Sequence, residues 1–290
     1  MSTILTMATV AAALRLSIPV ALAAMGAVVS ERSGVLNLGV EGMMLTGAFA
    51  AYSAAEASGS PWLGLVAGLA AGAAAGLLLA VFVVIGRSNQ IVTGIAFTLL
   101  AGYLTTYLFQ RNYAIGQIPP RLNRIDLLAL VVLTAVVVVA VYYLLQRTTF
   151  GLALGAVGES PEAADALGYD VVRIRVAATI IGGGLAGLGG AALVCGPLGL
   201  FIENVTAGRG WVALALVVFS GWKTFPAVVG AFLFGLSDAI QLRLQGTQSA
   251  IPYEFFLALP YMLTLMALVL RARASRTPAA LGVAFVRGAH

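Results

Sequence analysis

Long apolar runs separated by short polar breaks dominate the chain. A helix of about 20 mostly apolar residues can cross a bilayer, because lipid offers no partner to an open backbone. The runs are continuous and do not alternate between apolar and polar residues, which argues against a transmembrane β-barrel. They cover residues 8–29, 34–55, 61–85, 91–109, 127–145, 174–194, 211–219, 226–242 and 255–270.

The pattern therefore predicts an all-α integral membrane protein with about nine transmembrane helices, within a range of eight to ten. The run 211–219 is too short to span a bilayer alone and predicts a partial span. We expect residues 1–290 to form a single transmembrane domain.

The composition agrees, since 61% of the residues are hydrophobic, 9% are charged and the mean hydropathy is +1.01. Soluble domains carry about 25% charged residues. Basic residues form no cluster typical of nucleic-acid binding. The single cysteine, Cys195, and the single histidine, His290, leave no disulfide framework within the chain and little for a metal site. We predict no catalytic residue, no metal ligand and no cofactor in this chain.

Lysine and arginine positions predict the orientation of the helices. If the 146–173 loop is cytoplasmic, ten basic residues lie inside and five lie outside, and the C-terminus is cytoplasmic. The inside set is Arg32, Arg87, Arg147, Arg173, Arg175, Lys223, Arg271, Arg273, Arg276 and Arg287, and the outside set is Arg111, Arg121, Arg124, Arg209 and Arg243.

Two further patterns concern helix packing. Residues 34–80 and 208–236 each run from a glycine-containing start into an apolar segment, a proline and a glycine-spaced helix, so they are either an inverted repeat or similar by chance. Small residues every fourth position, at Gly64, Gly68, Gly72 and Gly76 and at Gly183, Gly187 and Ala191, predict either tight helix packing or a sliding surface.

The 146–173 loop has an unusual composition, with four of the eleven acidic residues of the chain. Ser160 and Pro161 are typical of a helix start, Glu162 falls in the first turn, and Gly168 stands where a left-handed C-cap belongs. The sequence predicts a short capped helix here. Such an element on a membrane protein indicates a docking partner.

Several stretches resemble a known family. Glu162-Ala163-Ala164, three residues and Gly168 resemble the E-A-A-x-x-x-G loop of ABC importer permeases. Residues 31–52, "ERSGVLNLGVEGMMLTGAFAAY", resemble the permeases for branched-chain amino acids, simple sugars and nucleosides. Residues 203–222, 230–245 and 278–288 resemble most the nucleoside and purine branch.

This resemblance implies a type II ABC importer-like permease in the cytoplasmic membrane of a prokaryote. It implies three protein partners: an ABC ATPase that binds ATP and magnesium, a second permease that makes a heterodimer, and an extracellular substrate-binding lipoprotein. The substrate would be a nucleoside, with simple sugars or branched-chain amino acids as alternatives. Residues 158–168 would be the coupling helix that docks on the ATPase, with contacts from Gly158, Glu159, Ser160, Pro161, Glu162, Ala163, Ala164, Asp165 and Gly168.

The chain has no G-x-x-x-x-G-K-[ST] motif, so it has no P-loop of its own for ATP. A rival hypothesis is an ATP-independent secondary carrier or channel with Glu41 as an ion site. That hypothesis does not explain the capped helix.

Polar residues within the spans are candidates for the substrate path, because an ionisable side chain in lipid normally faces protein or water. Asn37 and Glu41 are four residues apart and would share a helix face, where they bind substrate or hold a neighbouring helix. Asp238 either lines the path or pairs with Arg243 or another helix. The candidates are Asn37, Glu41, Asn89, Thr93, Tyr103, Asn204 and Asp238.

Overall fold

The computed structural model describes residues 7–113, 117, 119–245, 262, 266, 269 and 277–287. These residues form helices and no strand. The helices are α1 (Met7–Arg32), α2 (Val40–Ser58), α3 (Pro61–Ile85), α4 (Gln90–Asn112), α5 (Leu127–Arg147), α6 (Thr149–Glu159), α7 (Pro161–Ala166), α8 (Val171–Leu198), α9 (Arg209–Ser220) and α10 (Thr224–Gln245).

Six of these helices, α1, α3, α4, α5, α8 and α10, are long and apolar enough to cross a membrane. The prediction of an all-helical membrane protein is thus confirmed, whereas the count of about nine spans is not. The helix α9 has 12 residues and is too short to span, as its apolar run predicts. The last predicted span, 255–270, lies outside the described residues except at positions 262, 266 and 269.

Glycines bring α3 and α8 into backbone contact. A Cβ atom added at Gly72 would overlap the backbone oxygen of Gly183 and lie 2.6 Å from the Cα of Gly187. One added at Gly76 would lie 2.5 Å from the backbone oxygen of Thr179. Small residues permit this approach, which is how helices associate in lipid without a hydrophobic effect between them. The four-residue spacing therefore marks a true packing interface.

α8 lies at the centre of the helices, because α1 and α2 also pack on it through glycines. A Cβ atom at Gly182 would approach the backbone oxygen of Gly26 in α1 to 2.7 Å, and one at Gly190 would overlap the backbone oxygen of Met44 in α2. By contrast, α4 and α5 are mostly exposed and present apolar side chains such as Leu100 outward. Lipid is the solvent that such a surface fits.

Two sequence-based predictions need correction. The 146–173 segment is not a long loop: it continues as the 11-residue helix α6 and the short helix α7. Asn37 and Glu41 do not share a helix face, because the backbone between α1 and α2 is not helical and α2 begins only at Val40.

Candidate functional site

The predicted short helix is present as α7, and both of its caps form. The Ser160 side chain accepts a hydrogen bond from the backbone N–H of Ala163 at 3.4 Å, and Pro161 is the first helical residue. At the other end Gly168 has a φ of +90°, and its N–H donates to the backbone carbonyl of Asp165. The N–H of Tyr169 reaches back to the carbonyl of Ala164, which completes a Schellman-type C-cap.

The two faces of α7 differ in exposure. Pro161 and Ala164 are buried against the rest of the protein, whereas Glu162 and Ala163 are exposed. Leu167, at the C-cap, has 77% of its surface exposed. One face of α7 is therefore held against the protein, and the other carries the exposed side chains of Glu162 and Leu167.

The residues that precede α7 border a cavity. Gly158 packs against the α1 backbone, where an added Cβ atom would overlap the carbonyl of Arg32. Glu159, Arg32 and Lys223 line a cavity of about 570 Å³ between the ends of α1, α5, α6 and α9. One end of the protein therefore carries α7 together with a charged cavity.

A buried carboxylate joins the start of α2 to the start of α9. Glu41 is only 3% exposed, and its oxygens accept hydrogen bonds from the Thr206 hydroxyl and from the backbone N–H groups of Gly208 (2.9 Å) and Gly210 (2.6 Å). The first N–H groups of a helix lack partners within it and carry a partial positive charge, so a carboxylate caps them well. Only glycine at position 210 allows this approach, because a Cβ atom there would lie 2.6 Å from the Cα of Glu41.

A second buried carboxylate holds the other end of α9. The indole Nε1–H of Trp222, just after the helix, donates to Glu31 at the end of α1 at 2.7 Å. Glu31 is 1% exposed and also accepts from the backbone N–H of Asn37. The short helix α9 is thus held at its start by Glu41 of α2 and beyond its end by Glu31 of α1.

Asp238 forms an ion pair with Arg209, the first residue of α9, at 3.5 Å. Asp238 lies on α10, so this ion pair joins α10 to α9. Both side chains keep some exposure, 16% for Asp238 and 21% for Arg209. The Nε atom of Arg209 and the hydroxyl of the neighbouring Ser237 are buried without a hydrogen-bond partner among the described residues. Glu41 and Asp238 therefore both contact residues at the start of α9. We call Glu41, Thr206, Arg209 and Asp238 the polar junction.

The other predicted path residues are not all near this junction. Asn37 directs its amide nitrogen to the Ser30 hydroxyl and the Met43 sulfur, and its amide oxygen is buried without a partner in the described part of the chain. Asn89 caps α4 by accepting from the N–H groups of Ile91 and Val92, and Thr93 contacts Ser88. Tyr103 is 75% exposed, and Asn204 is exposed at a φ of +52°.

Four residues that the sequence analysis did not single out matter in this geometry. Glu31, Thr206 and Arg175 are buried and polar, and Arg287 pairs with Asp165. A charged residue inside or beside an apolar run is the available signal for Glu31 and Arg175. Among the residues described, no group of three or more His, Cys, Asp or Glu side chains is placed to hold a metal ion.

Comparison with known proteins gives consistent matches. A putative glucose ABC transporter permease protein of Haloferax volcanii is 40% identical over 253 residues, 79% of this chain and 75% of that protein. A guanosine ABC transporter permease protein of Bacillus subtilis is 33% identical over 298 residues, 93% of each chain. A nucleoside ABC transporter permease protein of Lactococcus lactis is 33% identical over 299 residues, 93% of this chain and 94% of that protein.

The pattern of the family described as "branched-chain amino acid transport system / permease component" matches residues 9–268. That match covers most of the chain, from residue 9 within α1 to beyond α10, and includes both carboxylates that hold α9. The chain belongs to this family of ABC transporter permeases.

Proposed function

We propose that this chain is the membrane-spanning permease subunit of an ATP-driven importer that carries nucleosides into the cell. The observation that supports this most directly is α7, a helix capped at both ends whose exposed face carries Glu162 and Leu167. ATP would be hydrolysed by a partner subunit. The chain itself would be one permease domain.

The proposal places α7 and the C-terminal segment in the cytoplasm. The ten-to-five distribution of basic residues supports that orientation. The ion pair between Asp165 and Arg287 supports it too, because it puts the C-terminal segment and α7 on one side of the protein. An ATPase dimer that closes on ATP would push α7 and turn the permeases from outward-facing to inward-facing.

The polar junction at the start of α9 is our candidate for the part of the substrate path that this chain contributes. Glu41 is fully engaged by α9, so its charge positions the helix and does not bind solute directly. Arg209 and Asp238 neutralise each other and stay partly exposed, which suits a neutral polar solute. Asn37, between α1 and α2, adds a buried amide oxygen that has no partner among the described residues.

Nucleosides are our first choice of substrate, because the two relatives named for guanosine and nucleosides align over 93% of this chain. Sugars are the second candidate, favoured by the 40% identity to a permease named for glucose. A second permease and an extracellular lipoprotein complete the expected importer.

The test begins with purification of the chain from its own membranes in mild detergent and mass spectrometry of the proteins that accompany it. We expect an ATPase, a second permease and a lipoprotein. The complex is then placed in liposomes and assayed for uptake of radiolabelled guanosine, glucose and leucine, with and without ATP. Uptake of guanosine that requires ATP supports the proposal, and uptake of glucose instead changes the substrate.

A paired variant tests the role of α7. Glu162→Lys with Gly168→Leu reverses the exposed charge and strains the C-cap, so we expect uptake to fall at least about tenfold while the protein remains folded. Arg87→Glu, a charge reversal at an exposed residue outside α7, is the control and should transport normally. Native uptake by the α7 variant would refute the coupling role of α7. Uptake by the purified chain alone without ATP would replace the importer with a carrier.

A further inference from the structure

The C-terminal segment 277–287, which we call the strap, contacts α7 and the segment 33–39 between α1 and α2, which we call the corner. The N–H of Ala280 donates to the carbonyl of Gly158 at 2.9 Å, and the N–H of Gly282 donates to the carbonyl of Gly34 at 3.0 Å. Two residues of one short segment therefore join the end of α6, just before α7, to the turn that follows α1.

The strap is also fixed directly to α7. The guanidinium of Arg287 holds both oxygens of Asp165, from Nε at 3.0 Å and from Nη2 at 2.9 Å. This two-point geometry is more specific than a single contact between charges. The hydrogen bond and charge of Asp165 raise the pKa of Arg287 above its ordinary value, so the arginine stays charged. Phe285 adds an apolar contact with Val157, Ala164 and Val171.

Arg175, near the start of α8, holds the strap and the corner together. Its Nη1 donates to the carbonyl of Val283 in the strap at 2.8 Å, and its Nε donates to the carbonyl of Ser33 in the corner at 3.1 Å. Arg175 is only 2% exposed, and no acid among the described residues lies within 4 Å of it in an ion pair. A buried cation is costly without a carboxylate partner. Its position is therefore set by the two carbonyls that it joins.

The corner fits the strap closely. Gly34 has a φ of +89°, and a Cβ atom there would lie 2.7 Å from Nη2 of Arg175 and 3.1 Å from the carbonyl oxygen of Ala280. Glu31 and Glu41, the two carboxylates that fasten α9, lie on either side of this corner. A continuous set of hydrogen bonds thus runs from α7 through the strap and the corner to α9.

We propose that the strap transmits movement of α7 to the α1–α2 corner and so to α9, with Arg287 and Arg175 as positioning residues for transport. The inference rests on the proposed function, because α7 moves only if an ATPase drives it. It assigns to the strap a mechanical role in coupling, separate from docking of the ATPase. A contiguous contact network is a reason to look for coupling, and measurement has to establish it.

The experiment measures the number of substrate molecules imported per ATP hydrolysed by the complete importer in liposomes. Arg287→Glu places two carboxylates against each other, and we expect this ratio to fall about two- to fivefold, the range that an exposed ion pair supplies. The ATPase should remain bound, because the exposed face of α7 is unchanged. Arg287→Lys, which keeps the charge and loses the two-point contact, should give a smaller fall.

Rescue and control variants separate coupling from folding. The exchange Asp165→Arg with Arg287→Glu restores opposite charges, and we expect it to recover most of the native ratio. Arg87→Glu is the matched charge reversal away from the strap and should leave the ratio unchanged. High salt should weaken the Arg287 contact and lower the native ratio towards that of Arg287→Glu.

A substrate-free readout distinguishes failure of the strap from failure of the importer hypothesis. In Arg287→Glu the backbone amides of Ala280 and Gly282 should exchange hydrogen faster, and so should those of residues 31–41. If the native complex shows no ATP-dependent uptake, the proposed function fails whatever the strap does. A native ratio in Arg287→Glu, no recovery in the charge exchange, or unchanged exchange at residues 31–41 would each overturn the strap inference.

Discussion

The α3–α8 interface and the junction around α9 solve the same problem, helix association in lipid, in opposite ways. α3 and α8 meet backbone to backbone through Gly72, Gly183 and Gly187. The helix α9 is held by two buried carboxylates, Glu41 at its start and Glu31 beyond its end. Close packing gains many small dispersion contacts, whereas a carboxylate gains a few strong directional hydrogen bonds.

This difference suggests which part of the molecule can change shape. An interface of interlocked backbones has no second arrangement of similar energy, because any shift produces overlaps. A short helix held at its ends by hydrogen bonds can be released by changing only those bonds. We therefore regard α3 and α8 as the rigid frame and α9 as the adjustable element, and the predictions below test this division.

The largest effect is expected at the frame. Gly72→Leu puts a side chain into the backbone of Gly183 and Gly187, so α3 and α8 must separate. We expect little or no monodisperse protein by size-exclusion chromatography of detergent extracts. Gly72→Ala should already lower the unfolding temperature, although alanine favours a helix over glycine by about 1 kcal/mol.

The matched control for this prediction is Gly102 in α4. A Cβ atom there would meet nothing within 4 Å. Gly102→Ala should therefore leave the unfolding temperature unchanged or raise it, and Gly102→Leu should still give folded protein. If Gly72→Leu and Gly102→Leu behave alike, the α3–α8 contact is not the rigid frame of the molecule.

The second effect is expected at the start of α9. Glu41→Gln replaces one acceptor oxygen with an NH₂ group. Glu41 accepts hydrogen bonds from the Thr206 hydroxyl and the N–H groups of Gly208 and Gly210, so this NH₂ group would face donors. A buried donor left without an acceptor costs about 1–3 kcal/mol. We expect a lower unfolding temperature in detergent and faster hydrogen exchange at residues 206–212, with α3 and α8 unchanged.

Glu56→Gln on the same helix is the control, because that carboxylate is exposed and its amide can still accept from Tyr113. The free energy of unfolding of Glu56→Gln should lie within about 0.5 kcal/mol of that of the native protein. Native hydrogen exchange across residues 206–212 in Glu41→Gln would show that α9 does not depend on the carboxylate.

Local features of this structure follow from the sequence, and distant partnerships do not. Ser160, Pro161 and Gly168 predict both caps of α7, because capping depends on residues within a few positions. The four-residue glycine spacing predicts one face of α3 for the same reason. The 11-residue helix α6 is missed, since it is short, apolar and rich in glycine and lacks the length by which apolar runs are recognised.

The candidate site illustrates the limit more sharply. An isolated glutamate in an apolar run marks Glu41 as important, but its partners begin 165 residues further along the chain, at Thr206. Arg287 and Asp165 are 122 residues apart. No local pattern relates such positions, because only the tertiary packing of distant segments brings them together. The sequence therefore predicts that Glu41 is engaged and leaves open by what.

The smallest effect is expected at the far end of α9. Trp222→Phe removes the Nε1–H that donates to Glu31 and keeps an aromatic ring in place. Among the described residues, the Glu31 side chain then retains the backbone N–H of Asn37 as its donor. We expect the free energy of unfolding to fall by about 1 kcal/mol, less than for Glu41→Gln, because no donor is left facing another donor. Trp211→Phe in α9, where the ring is 38% exposed, controls for the smaller ring. Hydrogen exchange should quicken at residues 218–222 in Trp222→Phe while residues 206–212 stay protected by Glu41, because each carboxylate fastens its own end of the helix. An equal rise in hydrogen exchange at both ends would instead mean that α9 is released as one unit, so that the two carboxylates hold the helix cooperatively.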